Sequence, residues 1–349
     1  MRIAVLISGG VDSAVTVDLL YRQGHDLTLF YIRIGNDNGE GDCSADEDIE
    51  MCTLIARKYG LPLRVVSLHQ EYWDSVMAYT LRTVAEGRTP HPDMMCNKLV
   101  KFGYFEERWG HEFDKTATGH YADIVERDGR CWLATAADPV KDQTDFLAQI
   151  SQEQLSHLMF PLGRLPKREV RRLAAEAQLP NAGRKDSQGI CFLGKIDYAD
   201  FIERHLGTRP GPVIEIETGR KVGEHRGYWF YTIGQRKGLG LGGGPWFVVR
   251  KNVRDNVIYV SNGYDTPKQY GRLINIQEMH WISGDPGDEQ VAFKTRHSPE
   301  FHSGSLRRRP DGSMTLMSDQ DIQGIAPGQF AIIYSSDRRL CYGSGMITL

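Results

Sequence analysis

One loop between a strand and a helix has the composition of a phosphate-binding turn. The hexapeptide SGGVDS (Ser8–Ser13) follows the apolar run RIAVLI and precedes the helix-like segment VDSAVTVDLLYRQ. Its glycines allow a tight turn close to a ligand, and the amides at the start of a helix attract anions. The G-x-x-x-x-G-K-[ST] pattern of γ-phosphate transfer occurs nowhere in the chain. The loop therefore suits an enzyme that transfers AMP and releases pyrophosphate.

A second stretch, TPHPDMMCNK, places a carboxylate and a thiol near a predicted helix start. Its two prolines end the preceding helix, and Asp93 is then placed to cap the next one. Cys96 would be about the third residue of that helix, where the positive end of the helix dipole favours a thiolate. The pattern predicts a reactive thiol at an exposed break. A plain N-cap and a buried thiol are the alternatives.

Cys191 lies in the stretch GRKDSQGICFLGK (183–195), whose polar and apolar halves allow two interpretations. Cysteines are among the most buried side chains, so a core position is the simpler interpretation. A thiol kept for chemistry is the other, and the stretch alone does not decide between them.

A third motif, GLGLGG (238–243), matches the dinucleotide-binding pattern letter for letter. The strand-like run PWFVV follows it, whereas that pattern needs a helix at this point. We therefore expect a flexible glycine loop that orders on substrate binding.

The overall composition excludes several classes of protein. The 349 residues are 40% hydrophobic and 25% charged, which is ordinary for a soluble globular chain of two or three domains. The opening run IAVLI is too short for a signal peptide or a membrane span, so we expect a cytoplasmic protein. Six cysteines without a C-x-x-C spacing indicate neither a disulfide scaffold nor a zinc ribbon.

Charge is unevenly spread along a chain whose net charge is −3. Residues 36–50 hold seven acids and no base, whereas residues 164–185 hold seven bases and two acids. A local basic surface on an acidic chain is typical of a polyanion partner. A solvated helix face is the alternative.

The pattern of elements divides the chain into three parts. Up to about residue 205, apolar runs alternate with helical stripes in a β-α-β-α-β order, which predicts a parallel sheet with crossover helices. Beyond residue 206, short alternating runs separated by turn signals predict only strands, with a join near 267–275. We therefore predict an α/β domain over 1–205, a small central β domain over 206–270 and a C-terminal β-barrel over 271–349.

Six motifs occur in one order along nearly the whole chain: SGGVDSAV, TPHPDMMCNKLVKF, TATGHYA, KDQTDFL, DSQGICFLG and IGQRKGLGLGGG. As a set, the sequence resembles the tRNA-specific 2-thiouridylase family of the PP-loop ATP pyrophosphatase superfamily. The resemblance implies a PP-loop ATPase domain followed by two β domains that contact tRNA, which agrees with the three parts above.

The resemblance also implies binding residues. For ATP these are Ser8, Gly9, Gly10, Val11, Asp12, Ser13, Tyr31 and Gly119. For the target base and the tRNA they are His91, Pro92, Asp93, His120, Lys141, Asp142, Gln143, Arg296, His297 and Gln329. Tyr31 and His91 depart from the family pattern, which commonly has Met and Asn at these positions. A main-chain contact would tolerate the first change.

The resemblance implies a mechanism as well. Cys96 corresponds to the nucleophile, Cys191 to the cysteine that carries persulfide sulfur, and Asp93 is placed to move a proton. ATP with Mg²⁺ would adenylate a wobble uridine in an anticodon loop, and a disulfide between Cys96 and Cys191 would follow sulfur transfer. No residue is assigned to a metal. The expected partners are tRNA and a persulfide donor or relay protein, with no membrane.

Two other functions fit parts of the sequence. Another PP-loop enzyme, adenylating a carboxylate or a different base, explains SGGVDS but gives no role to Cys96 and Cys191. A binding paralogue without catalysis explains neither the two cysteines nor Asp93.

Overall fold

In a computed structural model of the chain, residues 1–35, 43–186 and 198–348 are described. The α-helices are α1 (Val11–Arg22), α2 (Cys43–Tyr59), α3 (His69–Tyr72), α4 (Ala78–Ala85), α5 (Pro92–Cys96), α6 (Phe105–Arg108), α7 (Thr144–Leu147), α8 (Gln152–His157), α9 (Lys167–Glu176) and α10 (Tyr198–Leu206). Two π-helical segments, Trp73–Met77 and Asn97–Tyr104, join α3 to α4 and α5 to α6.

The first strands are β1 (Arg2–Leu6), β2 (Asp26–Arg33), β3 (Leu63–Ser67), β4 (Lys115–Ala117), β5 (Asp123–Arg127), β6 (Arg130–Ala134) and β7 (Leu158–Met159). The later strands are β8 (Gly211–Glu215), β9 (Lys221–His225), β10 (Trp246–Asn252), β11 (Val257–Asn262), β12 (Tyr270–Trp281), β13 (Gln290–Lys294), β14 (His302–Arg308), β15 (Met314–Gln323), β16 (Phe330–Tyr334) and β17 (Leu340–Thr348).

The N-terminal sheet is parallel throughout, in the order β3-β2-β1-β4-β7. The central strand β1 reads as a continuous apolar run because helices cover both faces, and Ile3, Ala4 and Val5 are fully buried. The chain first forms β2 and β3 on one side of β1 and then crosses over to form β4 on the other side. Ligands of open α/β sheets bind at such a reversal, outside the carboxyl ends of the strands. The predicted α/β fold is confirmed.

The central domain is a four-stranded sheet in the order β10-β11-β8-β9, in which only β11 and β8 pair in parallel. The run GYWFYTI, which we expected to be a strand, is instead a short 3₁₀ turn at Tyr228–Phe230 followed by irregular chain. Its aromatic side chains pack at a junction between domains, because Tyr228 donates its hydroxyl to the carbonyl of Ala85 at 2.6 Å. The polar strand β9 was not predicted.

The C-terminal domain is a six-stranded barrel closed by pairing of β12 with β17. The predicted barrel is therefore confirmed. The hairpin β5–β6 lies early in the chain, yet it extends this barrel's sheet, because Leu133 and Ala134 pair with Cys341 and Leu340 of β17. The first and last parts of the chain are thus joined by a shared sheet.

The predicted helix SQEQLSHLMF is shorter than expected. It begins with the capping box that the sequence predicts, in which Ser151 accepts from the Gln154 amide at 3.1 Å. It ends at His157, and Leu158–Met159 form the edge strand β7 of the parallel sheet. Among the described residues, no helix is long and apolar enough to cross a membrane.

Candidate functional site

The predicted phosphate loop folds back on itself at the start of α1. Gly9 has a φ of 72°, a conformation that favours glycine, and Gly10 is the N-cap of the helix. Ser13 stabilises the turn, because its hydroxyl accepts from the Ser8 amide at 3.2 Å and donates to the Gly10 carbonyl at 3.0 Å. Gly10 supplies no side-chain cap, so the first amides of α1 remain available to an anion.

A cavity of about 230 Å³ opens at this loop. Its lining is Ser8, Gly10, Val11, Asp12, Ser13, Asp48, Tyr121, Lys141, Gln143, Arg184, Lys185 and Asp186. Residues distant in sequence are bonded to the loop itself. The carbonyl of Gly9 accepts from Asn181 at 2.9 Å and from Arg184 at 3.1 Å, and Arg184 also pairs with Asp48.

The carboxylates of the cavity are held by ammonium groups. Asp12 accepts from Lys167 at 2.7 Å and from the Tyr121 hydroxyl at 2.9 Å. Asp186 accepts from Lys141 at 2.8 Å and pairs with Lys167 at 2.9 Å. Although burial opposes ionisation of Asp186, these lysine contacts hold its pKa well below its usual range. Both carboxylates are therefore fixed in place as anions by cations of the same cavity.

The charge of the cavity suits a phosphate chain. Five cations (Lys141, Lys167, Arg171, Arg184 and Lys185) surround three carboxylates (Asp12, Asp48 and Asp186). Two hydroxyls and the start of α1 add neutral donors. Mg²⁺ prefers one or two carboxylates together with substrate phosphates, and Asp12 and Asp186 fit that need. The described side chains form no cluster that could hold a metal ion alone.

Most bases of the predicted basic surface at 164–185 are paired with carboxylates of the same chain. Arg171 donates to the carbonyls of Ala182 and Arg184 and pairs with Asp186, so it is a structural anchor. Arg172 pairs with two glutamates of its own helix, α9. In the part of the chain that the structure describes, only Arg168 and Lys185 of the seven bases make no ion pair. The expected tRNA-binding face is therefore largely self-neutralised.

The second predicted group lies at the start of α5, with two differences from expectation. His91, not Asp93, is the N-cap, and its ring nitrogen accepts from the Met94 amide at 3.4 Å. Cys96 is the fifth residue of the helix, beyond the first turn where the dipole acts most strongly. It is also buried, with 7% exposure, in a cluster that includes Ala4 and Phe30. The expected exposed thiol was wrong, because α5 packs directly against the sheet.

Aromatic rings gather around His91. Its ring packs edge-on against Phe146, and Phe146 lies 4.6 Å from the ring of His297. His297 is half-exposed and bonds at 2.7 Å to the fully buried carboxylate of Asp145. This arrangement offers flat surfaces and one cation, which is what an unstacked RNA base and its phosphate require.

The two histidines have opposite charge preferences. The hydrogen bond that His297 donates to Asp145 raises the pKa of His297, which favours its imidazolium form. Burial lowers the pKa of His91, although Asp145 and Asp93 oppose that shift. The surroundings therefore favour the neutral form of His91 and the charged form of His297.

A cleft of about 180 Å³ lies beside Pro92. It is lined by Val84, Arg88, Thr89, Pro90, Pro92, Tyr198, Trp229, Phe230, Tyr231 and Thr232. The predicted tRNA contact Gln329 holds its edge, since the Gln329 amide donates to the Pro90 carbonyl at 2.8 Å. Three parts of the chain thus meet at the break before α5.

The predicted triplet Lys141, Asp142 and Gln143 divides between two environments. Lys141 and Gln143 line the phosphate cavity. Asp142 is 3% exposed and pairs at 3.3 Å with the equally buried Lys294 of β13. In this structure Asp142 faces the barrel and cannot offer its carboxylate to RNA.

Other predicted residues stand at the margins. Gly119 packs behind the loop, where an added Cβ would lie 2.9 Å from the Ser13 amide. Tyr31, on β2, is partly buried and packs against the core of the parallel sheet. Burial lowers the pKa of His120 to about 3, so it is neutral, while its ring bonds to Thr118 at 2.8 Å. Arg296 is exposed beside His297.

Cys191 lies outside the described residues, and so does any bond between it and Cys96. The described residues that flank this stretch in the sequence lie at two of the cavities above. Asp186 belongs to the phosphate cavity, and Tyr198 lines the cleft beside Pro92. The cysteines 52, 96, 131 and 341 form no disulfide among themselves. Burial raises the pKa of Cys52 to about 12 and that of Cys341 further, so these are inert core thiols.

Several site residues were missed at the sequence level. Lys167 and Arg184 fall in the basic run 164–185, Asp186 directly follows it, and their charge was the only available signal. Asn181 carries no signal in the sequence, and Tyr121 is part of the motif TATGHYA but was not singled out. Asp145 and Phe146 follow the triplet 141–143 after one intervening residue and were overlooked.

Comparisons with known proteins match the chain along its whole length. Residues 1–195 match a tRNA methyl transferase HUP domain, residues 199–262 a tRNA methyl transferase PRC-barrel domain and residues 272–347 an aminomethyltransferase β-barrel domain. The tRNA-specific 2-thiouridylase MnmA of Parabacteroides distasonis is 59% identical over 99% of both chains. MnmA 1 of Bacteroides thetaiotaomicron is also 59% identical, over 100% of both. The U34-tRNA thiolase NcsA of Methanococcus maripaludis aligns with 59% of this chain and 67% of that one, at 18% identity and a TM-score of 0.35.

Proposed function

Because the chain belongs to the tRNA-specific 2-thiouridylase family, we propose that it replaces the C2 oxygen of a wobble uridine in tRNA with sulfur, using ATP. One observation carries the proposal. The segment 141–146 begins in the phosphate cavity, at Lys141, and reaches the aromatic cluster at Phe146. A nucleotide and an RNA base can therefore meet along a single short stretch of chain.

The first step activates a poor leaving group. The C2 oxygen of the uridine attacks the α-phosphorus of ATP, and pyrophosphate leaves. Lys141, Arg184 and the amides of α1 hold the phosphates and stabilise the charge that develops on pyrophosphate. Asp12 and Asp186 are the carboxylates that would hold Mg²⁺ bound with the nucleotide, and the ion would further neutralise the phosphates.

The second step transfers sulfur. The terminal sulfur of a persulfide on Cys191 attacks C2 of the activated base, and AMP leaves with the former C2 oxygen. The Cys96 thiolate then attacks the Sγ atom of Cys191, which breaks the bond between the two sulfur atoms. The base keeps a thiocarbonyl, and Cys96 and Cys191 end as a disulfide that a thiol reductant must reopen. We assign to Asp93, in the first turn of α5, the proton that leaves N3 of the uridine when its C2 oxygen is adenylated.

The positions of the flanking residues support Cys191 as the carrier. Asp186 is anchored in the phosphate cavity by Lys141 and Lys167. Cys191 is five positions further along the chain, and a fully extended chain of that length spans at most about 18 Å. That length is compatible with a role for Cys191 beside the phosphate cavity.

The partners follow from the chemistry. The substrate is tRNA with an unmodified wobble uridine, whose anticodon loop allows the base to be unstacked at low cost. A persulfide donor or relay protein supplies the sulfur. A reducing compartment such as the cytoplasm keeps the described thiols reduced.

Pyrophosphate release with and without tRNA tests the proposal. We expect release only with unmodified tRNA bearing a wobble uridine. Ser13→Ala should slow it roughly tenfold, since a hydrogen bond that orders the anion site is lost. Ser156→Ala is the control, because its hydroxyl bonds only within α8.

Two outcomes would contradict the proposal. Release that needs no tRNA would indicate an enzyme that adenylates another acceptor. Tight tRNA binding with no ATP consumption would indicate a binding protein without catalysis.

A further inference from the structure

The glycine-rich segment 238–244 borders a cavity that the proposed reaction does not use. Its volume is about 370 Å³, and it lies in the central domain. The lining is Arg236, Gly238, Leu239, Gly240, Leu241, Gly244, Pro245, Trp246 and Tyr264. None of these residues belongs to the phosphate cavity or to the aromatic cluster around His91. The strand β10 begins directly after it, at Trp246, which excludes the dinucleotide-binding turn.

One wall of this cavity is a flat, accessible face. Tyr264 is 65% exposed, although it is a large aromatic residue. The guanidinium of Arg236 lies 6.0 Å from its ring centre and donates to its hydroxyl at 3.2 Å. Below them, the buried indole of Trp246 donates to the Gly242 carbonyl at 2.9 Å and fixes the loop. An exposed ring beside a guanidinium is a stacking platform for a base.

The glycines of the loop are not all explained by the fold. Gly240 and Gly243 have φ values of 65° and 71°, which favour glycine. Gly242 has no such conformation, and an added Cβ there would meet no atom within 4 Å. Neither backbone strain nor internal packing requires glycine at position 242. A missing side chain leaves the backbone amides open to close approach by a ligand.

The segment that carries this cavity is basic; Arg236 lines the cavity, and Lys237 lies between two of its lining residues. Residues 226–254 contain six lysines and arginines and no acid. Arg226 pairs with Glu203, and Lys251 donates to the Tyr231 carbonyl. The remaining four, Arg236, Lys237, Arg250 and Arg254, are exposed, and no described carboxylate lies within ion-pair distance of them. A basic surface with an exposed aromatic residue fits RNA better than it fits a protein.

We propose that this cavity is an RNA subsite that takes an unpaired nucleotide of the tRNA other than the wobble uridine. The base stacks on Tyr264 and Arg236, while its phosphate meets Lys237 and the open amides of the loop. This inference rests on the proposed function, since tRNA is the RNA in question. It gives the central domain a specific role, which is to bind the tRNA at a nucleotide other than the reacting base.

Affinity for full-length unmodified tRNA, measured at several salt concentrations, tests the subsite. Tyr264→Ala should raise the Kd roughly tenfold, because stacking of one base is lost, and leave the salt dependence unchanged. Lys237→Ala should also weaken binding and lower the salt slope by about one unit, because one phosphate contact is lost. Gly242→Val should fold normally, because an added Cβ there meets no atom within 4 Å, and should weaken binding by covering the backbone amides of the loop. Arg220→Ala is the control, as this exposed arginine pairs with Glu215 in the same domain.

The outcomes separate this inference from the proposed function. If the wild-type enzyme thiolates tRNA and all three cavity variants bind tRNA as tightly as the control, the subsite is wrong. If the variants bind tRNA normally but accept sulfur more slowly from a protein donor, the cavity serves that protein and the RNA assignment is overturned. Absence of thiolation by the wild-type enzyme would instead count against the proposed function itself.

Discussion

At the scale of single residues, the pair Asp145 and His297 links a buried carboxylate to a half-exposed imidazole that would contact the proposed substrate. Asp145 is fully buried, and its carboxylate bonds to an imidazole that is half-exposed. The hydrogen bond raises the pKa of His297 above its ordinary value of 6.5. The buried carboxylate thus holds a positive charge at the surface, beside Phe146 and the exposed Arg296.

This pair predicts how tRNA affinity depends on pH. A raised pKa means that the charge, and the stability gained from the bond to Asp145, are present at low pH and are lost as pH rises through the raised value. Affinity for tRNA should fall by about 1 kcal/mol, roughly fivefold, as His297 loses its proton. His91 should not contribute over this range, because burial lowers its pKa.

The variant His297→Asn should flatten this dependence when binding is followed from pH 6 to pH 8.5. His111→Asn is the matched control, since this exposed histidine bonds only to the Glu106 carbonyl in another part of the catalytic domain. An equally steep pH profile in His297→Asn would show that another group carries the charge.

At the scale of elements, the segment 141–146 is anchored by the barrel as well as by its own domain. Asp142 lies between two residues of the phosphate cavity, and its partner Lys294 belongs to β13. Lys294 also lies 4.3 Å from the ring centre of Phe301. Burial raises the pKa of Asp142, and the ammonium of Lys294 opposes that rise. The pair therefore positions Lys141 and Gln143 from the far side of the segment.

A double-mutant cycle on this pair tests the positioning role. Lys294→Met and Asp142→Asn should each destabilise the fold by about 3–5 kcal/mol, because each leaves a buried partner unpaired. The double variant should lose less than the sum of the two. Both single variants should also raise the KM for ATP, since Lys141 moves with the segment.

The exposed pair Arg272 and Asp321 supplies the control, with half or more of each side chain accessible. Its cycle should give a much weaker coupling, because solvent screens both groups. Additive losses for Lys294 and Asp142, with an unchanged KM, would show that the barrel does not position the segment.

The elements also show which parts of the structure the sequence could predict. Apolar runs such as RIAVLI predicted the parallel sheet, because strands buried on both faces leave a continuous pattern. The run GYWFYTI looked like a strand for the same reason, but its rings fill a junction between domains. The strand β9, KVGEH, was missed because its polar residues give no alternation. Local pattern cannot distinguish apolar residues of a sheet from those of a junction.

The candidate site was predictable where residue types were distinctive and unpredictable where the fold assembles it. The loop SGGVDS predicts an anion site because its glycines and the following helix start form the site from their own backbone. The burial of Cys96 and Asp142 depends on contacts with the sheet and with β13, from distant parts of the sequence. Asn181 reaches Gly9 across more than 170 positions. Such contacts exist only after folding.

At the scale of the whole molecule, both β domains contact the break before α5. An added Cβ on Gly87 would lie 2.3 Å from Val253 of the central domain, and the Thr89 amide donates to Pro327 of the barrel at 2.8 Å. The hairpin β5–β6 shares the barrel sheet as well. Both β domains contact the segment that leads to Asp93 and Cys96, so a tRNA bound to these domains would influence the position of that segment.

The central claim is that sulfur on Cys191 is delivered to C2 of the wobble uridine. The direct measurement is mass spectrometry of tRNA nucleosides after incubation of the enzyme with ATP, Mg²⁺, unmodified tRNA and an isotopically labelled persulfide donor. We expect labelled 2-thiouridine at the wobble position for the wild-type enzyme. Cys191→Ser should give none, while Cys52→Ser, if it folds, should thiolate, because that thiol is an inert core residue. Labelled 2-thiouridine formed by Cys191→Ser at the wild-type rate would contradict the role of Cys191 as the sulfur carrier.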